Sequence, residues 1–226
     1  MPLKLAETPF MFKTQLSLIL LTGLKASNVL QLKDNLKVIP ESSVYYHTHN
    51  FLQRHQFLIP EPPNDFAHWV TNVLREEWLG EKLTAIDTVQ FSSLEDLRQA
   101  LVSVMDSYLE KNASLHTAPS GSEFYFMKAI LFNFPTTYQA RDLAEFAVCL
   151  KKVSSHSLYY HLFEGRLRSA HRRNDFSFWL NALGETSLAE QIERLDPYTH
   201  TIEELRTRIV RLAEKRINGG AYATAG

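Results

Sequence analysis

Apolar residues recur along this chain with a helical period, and they do so in the same order in its two halves. Val29, Leu32 and Leu36 sit at i, i+3 and i+7, as do Leu143, Phe146 and Leu150, and each set makes one apolar stripe on a helix. Before each stripe lies an aromatic-rich stretch, FMFKTQLSLILL or FYFMKAILFNF, whose short apolar runs leave strand and helix unresolved. A second helix is expected after Pro40 in the first half and near Ser154 and Ser155 in the second, and a third at Asn64-Asp65 and Asn174-Asp175, a favoured N-cap pair. A short fourth helix covers roughly 79–86 and 188–195. The last opens on the capping boxes Ser92…Glu95 and Thr201…Glu204. The pattern predicts a mainly all-α fold of two helical bundles, with room for a short strand at the start of each.

The order matches because the words match. SVYYH at 43–47 returns as SLYYH at 157–161, and Phe10, Phe12 and Ala26 fall on Phe124, Phe126 and Ala140 at the same offset. NDFAHW at 64–69 then falls on NDFSFW at 174–179, and SLEDLRQAL at 93–101 on TIEELRTRI at 201–209. One order with small gaps reads as a tandem internal duplication. The expected domains are a repeat over 8–111, a polar linker over 112–122, a second repeat over 123–217 and a disordered tail over 218–226. Residues 13–27 resemble a signal peptide, but their counterpart deep inside the chain argues against a removable address.

Composition adds limits. At 226 residues with 45% apolar and 12% aromatic content, the chain has ample core material. A formal charge of −1 supplies no electrostatic case for nucleic acid or an anionic membrane surface. The single cysteine, Cys149, leaves no internal disulfide framework and fits a cytoplasmic setting. P-loop, dinucleotide-glycine, G-x-S-x-G and kinase motifs are absent.

The repeated YYH helix carries the first candidate site. Helical spacing groups Tyr46, His47 and Arg54 with Asn50 in the first half, and Tyr160, His161, Glu164 and Arg168 in the second. Arginine as a forked donor and histidine as a proton carrier suit an anion site. Tyrosine and histidine filling a half-buried helix face account for the same stripe. Asp65 and Asp175 orient the histidines in the functional reading, and belong to helix N-termini in the structural one. Asp87 and Asp196 read as turn residues. Arg166, Arg172 and Arg173, with Arg168, form a basic run fit for a phosphate or an acidic partner, or for a solvated helix end. His47, His49, His55 and the pair His161-x-x-Glu164 fail to repeat a ligand set, so neither a metal nor any other cofactor is expected.

SLYYHLFEGRLR, NDFSFWL and the LAEQIERLDPYTHT turn together resemble an uncharacterised bacterial and archaeal family, a domain of unknown function. The likeness covers almost the whole chain as two tandem copies, the second closer, and the first departs at Thr48-His49-Asn50 and in its longer loop. It implies no reaction and no catalytic residue. Two function hypotheses follow: a non-enzymatic helical module binding a partner protein or small anionic ligand, with a homodimer left open, or an enzyme acting on a phosphorylated or sugar-like substrate in a YYH-lined cleft. A buried histidine without a cavity would remove the second.

Overall fold

The computed structural model describes residues 3–50, 64–112, 116–168, 173–195 and 199–222. In chain order the elements are β1 (Phe10–Ala26), α1 (Val29–Val38), α2 (Glu41–His47), α3 (Asp65–Asn72), α4 (Glu77–Thr84), a 3-10 turn (Thr88–Gln90), α5 (Leu94–Leu109) and β2 (Phe124–Ala140). There follow α6 (Leu143–Leu150), α7 (Ser155–Tyr159), a π-helical turn (Tyr160–Glu164), α8 (Gly165–Arg168), α9 (Asp175–Ala182), α10 (Thr186–Glu193) and α11 (Ile202–Tyr222).

The expectation of a mainly all-α fold is corrected. Both aromatic-rich stretches lie in strands of 17 residues, paired in a two-stranded antiparallel sheet, and the fold is mixed α/β. Partners descend along β2 as they ascend along β1: Phe12 accepts from the Thr136 hydroxyl, Gln15 donates to Asn133, and Thr22 donates to Phe126. At the head of each strand, buried Phe10 and Phe12, or Phe124 and Phe126, alternate with exposed Met11 or Tyr125, the period-2 pattern of a half-buried strand. Beyond them most positions are exposed. These stretches are strands because each finds a partner more than a hundred residues away, which local periodicity does not register.

The residues gather into two compact units, a continuous one of Ser17–Leu131 and a discontinuous one made of Met1–Leu16 and Phe132–Gly226. In the continuous unit the fully buried core includes Leu32 and Leu36 of α1, Phe66 of α3, Leu97 and Leu101 of α5, and Phe126 of β2. Phe124 stacks on Phe66 at 5.3 Å and meets Trp69 edge-on at 5.6 Å. In the discontinuous unit the corresponding places are held by the head of β1. Phe10 lies 5.4 Å from Phe176 and 5.7 Å from Trp179, and Phe12 stacks on Phe146 at 5.8 Å. Each helical set is thus closed by the strand head that the chain supplies from its other half.

Helix ends are satisfied locally. Asn28, Asn64, Ser93, Asp142 and Asn174 each accept a backbone N–H from three residues on. Thr201 and Glu204 form the expected reciprocal box. The other box starts one residue later than its sequence suggests, with Ser93 as the cap. Two arginines close helix C-termini: Arg98 donates to the carbonyls of Leu36 and Ile39 at 2.8 and 2.6 Å, and Arg206 to those of Leu150 and Val153. Arg98 is buried, so Arg98→Met strands two carbonyls. It is expected to cost the continuous unit about 2 kcal/mol in a denaturant titration; an unchanged midpoint would exclude the capping role.

Among the described residues no helix is long and apolar enough to cross a membrane.

Candidate functional site: two histidines and a cavity

The YYH helix presents its histidine to strand and aspartate at once. In the continuous unit, His47 lies at the end of α2, and its Nδ1 is 2.7 Å from Asp65 Oδ2 while its Nε2 accepts the backbone N–H of Met127 in β2 at 2.9 Å. In the discontinuous unit, His161 sits in the π-helical turn, with Nδ1 2.7 Å from Asp175 Oδ2 and Nε2 accepting the backbone N–H of Lys13 in β1 at 2.8 Å. A main-chain N–H can only donate, so Nε2 carries the lone pair and Nδ1 the proton, which it donates to the carboxylate. Both rings are neutral in this arrangement and both ring nitrogens are occupied.

Packing holds the same pose. His161 is 3% exposed, with Phe10 and Phe176 at 4.9 and 5.4 Å; His47 is 2% exposed, with Phe124 and Phe66 at 4.7 and 5.4 Å. Asn64 and Asn174 cap α3 and α9, so the next residue, Asp65 or Asp175, points its carboxylate back at the histidine from the first turn. Gly165 makes room for this: a side chain there would meet Asp175 within 3 Å of its backbone nitrogen.

The two sides of His161 differ. One is aromatic core; the other adjoins a cavity of about 860 Å³ within the discontinuous unit. The segment Lys4–Met11 forms one wall, and Phe178, Trp179 and Leu183 form another, with Asp175 and Lys13 also in the lining. Trp179 ties the walls together by donating Nε1–H to the Thr8 carbonyl at 3.1 Å. Charges of both signs line it: Lys4 and Lys13 against Glu7 and Asp175.

A profile described as a family of unknown function, DUF5752, matches residues 7–214 in one span that runs through both units. The chain belongs to that family. It is also similar to a solved structure, OrfY from Thermoproteus tenax, with 30% identity, a TM-score of 0.79, and coverage of 93% of this chain and 96% of that one. No curated protein matches. Membership therefore assigns no reaction, and the site has to be read from its own residues.

The remaining candidates disperse. Tyr46 and Tyr160 are buried beside their histidines, each 4.9 Å from the ring, and Tyr160 also lines the cavity. Glu164 turns into the protein, where its carboxylate accepts from Gln15 Nε2 at 2.6 Å. Arg166 donates to the Glu193 carbonyl at 2.7 Å and pairs with the Glu193 carboxylate, and so completes the end of α10. Arg173 is exposed. Arg54, Arg172, His55 and Asp196 lie outside the described residues, as does the side chain of Arg168. Among the described residues no group of three or more histidine, cysteine or acidic side chains is placed to hold a metal. His49 is fully buried, stacked on Tyr45 at 5.9 Å with Nδ1 3.0 Å from the Thr48 hydroxyl, and burial lowers its pKa to about 4.

Sequence reasoning missed Lys4, Lys13 and the whole Lys4–Pro9 wall. Lys13 corresponds to Met127 in the other half, so no repeated word drew attention to it. Asp65 and Asp175, which the sequence does mark, lie 2.7 Å from the two histidines.

Proposed function

We propose that this protein is a non-enzymatic binding module whose discontinuous unit takes a small ligand with an apolar body and an anionic group in the cavity beside His161. One observation carries this reading: the histidine next to the cavity has both ring nitrogens engaged, one by Asp175 and the other by the Lys13 main chain. An acid/base histidine needs a ring nitrogen within reach of the proton it moves. Here that nitrogen holds a strand. The cavity's volume, about 860 Å³, lies in the range of small-molecule pockets rather than of flat protein interfaces. Trp179, Phe178 and Leu183 suit an apolar body, and the ammonium groups of Lys4 and Lys13 suit an anion; Glu7 and Asp175 narrow the choice to ligands that avoid or bridge them.

The test is a thermal-shift panel of inorganic phosphate, sugar phosphates and small aromatic carboxylates against the full chain. A ligand of this class raises the melting midpoint, and Lys13→Ala weakens it about tenfold or more, the worth of one charge-assisted hydrogen bond. Lys13→Ala keeps the backbone N–H that His161 accepts, so the fold is retained. No shift from any compound, or a shift indifferent to both Lys4→Ala and Lys13→Ala, would remove the proposal.

The same reading includes a tandem duplication. It is supported by the parallel geometry of His47–Asp65–Met127 and His161–Asp175–Lys13, and of Arg98 and Arg206. A reducing, cytoplasmic setting also belongs to it, supported by a single cysteine that is buried.

A further inference from the structure

The charges lining the cavity beside His161 do not neutralise one another. Lys4, Glu7 and Lys13 all belong to its lining, and among the described residues none of their side chains enters an ion pair or a hydrogen bond. The surrounding frame does not call for Glu7 and Lys13 either, because the continuous unit builds the same frame without them. There Trp69 donates to the Ser122 carbonyl as Trp179 does to that of Thr8, and Ala118 donates its N–H to Ser27 as Ala6 does to Arg141. Met127 gives His47 the main-chain N–H that Lys13 gives His161. Between Ala6 and Thr8 stands Glu7, whereas Pro119-Ser120-Gly121 stand between Ala118 and Ser122. Uncharged residues thus serve at both places where the same hydrogen bonds are made. A carboxylate and an ammonium that the architecture does without, at one cavity with apolar walls, fit a ligand carrying the complementary pair.

We propose that this ligand is a zwitterion with an apolar side chain, an amino acid or a short peptide. The inference rests on the cavity reading above and narrows it. The ligand's carboxylate goes to Lys13 and its ammonium to Glu7, each a charge-assisted contact, while its side chain packs on Phe178, Trp179 and Leu183. A ligand with an anionic group alone suits Lys13 but brings its charge toward Glu7 and toward Asp175, whose side chain also lines the cavity and is 30% exposed. Like charges brought together discriminate against it. An amine alone meets the converse at Lys4 and Lys13. A ligand of both signs is favoured at each wall, and a cavity of about 860 Å³ has room for one amino acid or for a short peptide.

Calorimetric titration of the full chain with four probes tests this: L-phenylalanine, the dipeptide L-leucyl-L-phenylalanine, 3-phenylpropionate and phenethylamine. One of the two zwitterions is expected to bind about fivefold or more tighter than either single-charge analogue, and the tighter of the two tells a free amino acid from a peptide. Glu7→Gln should remove that advantage and leave 3-phenylpropionate bound as well as before or better. Glu7 is exposed, so this variant keeps the fold. If 3-phenylpropionate binds the wild type as tightly as both zwitterions, this inference falls and the cavity's preference for an anionic group stands. An advantage that survives Glu7→Gln also overturns it. Phenethylamine as the tightest probe, or no binding by either zwitterion or by 3-phenylpropionate, would remove both readings together.

Discussion

Phe12→Ala loosens the discontinuous unit by about 3–5 kcal/mol and leaves the continuous unit near its wild-type stability, although Phe12 precedes the continuous unit's helices in the chain. The ring is fully buried, with Phe10, Phe146, His161 and Phe176 around it at 4.8 to 6.0 Å. Truncation leaves a cavity among rings that interlock and cannot close over it easily, so the cost falls toward the upper end for a buried aromatic. It also weakens the strand segment that brings the Lys13 N–H to His161. The measurement is hydrogen exchange by segment. Amides in Leu143–Leu150 and Asp175–Ala182 should exchange faster, and those in Asp65–Asn72 and Leu94–Leu109 should not. Phe126→Ala should do the reverse, since Phe126 is fully buried in the continuous unit, with His47 6.0 Å away. If Phe12→Ala speeds exchange in Asp65–Asn72 instead, the placement of the strand heads is wrong.

Acid weakens the continuous unit through His49, by about 2 kcal/mol at pH 5 and about 3 kcal/mol below pH 4. Burial pushes this histidine from the ordinary 6.5 down to about 4, because a charged ring in the core has lost its water. The unfolded chain therefore takes up a proton first as pH falls through 6.5, and folding must release it. Full stability is present above pH 6.5, is lost between there and pH 4, and changes no further through this group below pH 4. In the aligned half the same place holds Phe163, so His49→Phe is the natural control. The Thr48 hydroxyl donates to the Val44 carbonyl, so it keeps its acceptor in this variant. Denaturant midpoints of wild type and His49→Phe should coincide in slope above pH 7 and diverge steadily from pH 6.5 to 4. Parallel profiles over that window would mean that His49 is not buried as described.

Some of this was readable in advance. The stripes at Val29, Leu32, Leu36 and at Leu143, Phe146, Leu150 gave α1 and α6 because a buried helical face writes itself into the i, i+3, i+7 spacing. Asn64 and Asn174 announced helix starts because a cap is a local hydrogen bond to a near neighbour in the chain. Even the pairing of His47 with Asp65 and of His161 with Asp175 was within reach, since both words recur together. Arg98 and Arg206 stand in the same aligned segment; their repetition is the signal of a shared role, and their targets are the carbonyls at the ends of α1 and α6.

What the sequence by itself determined, then, is whatever depends on residues a few positions apart: the helices, their caps, the repeated vocabulary and the neutral balance of charge. The tertiary structure alone decided that FMFKTQLSLILL and FYFMKAILFNF are strands, and that each strand head closes the helices of the other half. It also decided that His161 meets a cavity while spending its second nitrogen on a backbone amide. Those outcomes rest on contacts between residues as far apart as Lys13 and His161. Such contacts leave no period in the chain, because a strand's partner and a histidine's second hydrogen bond are chosen by position in space.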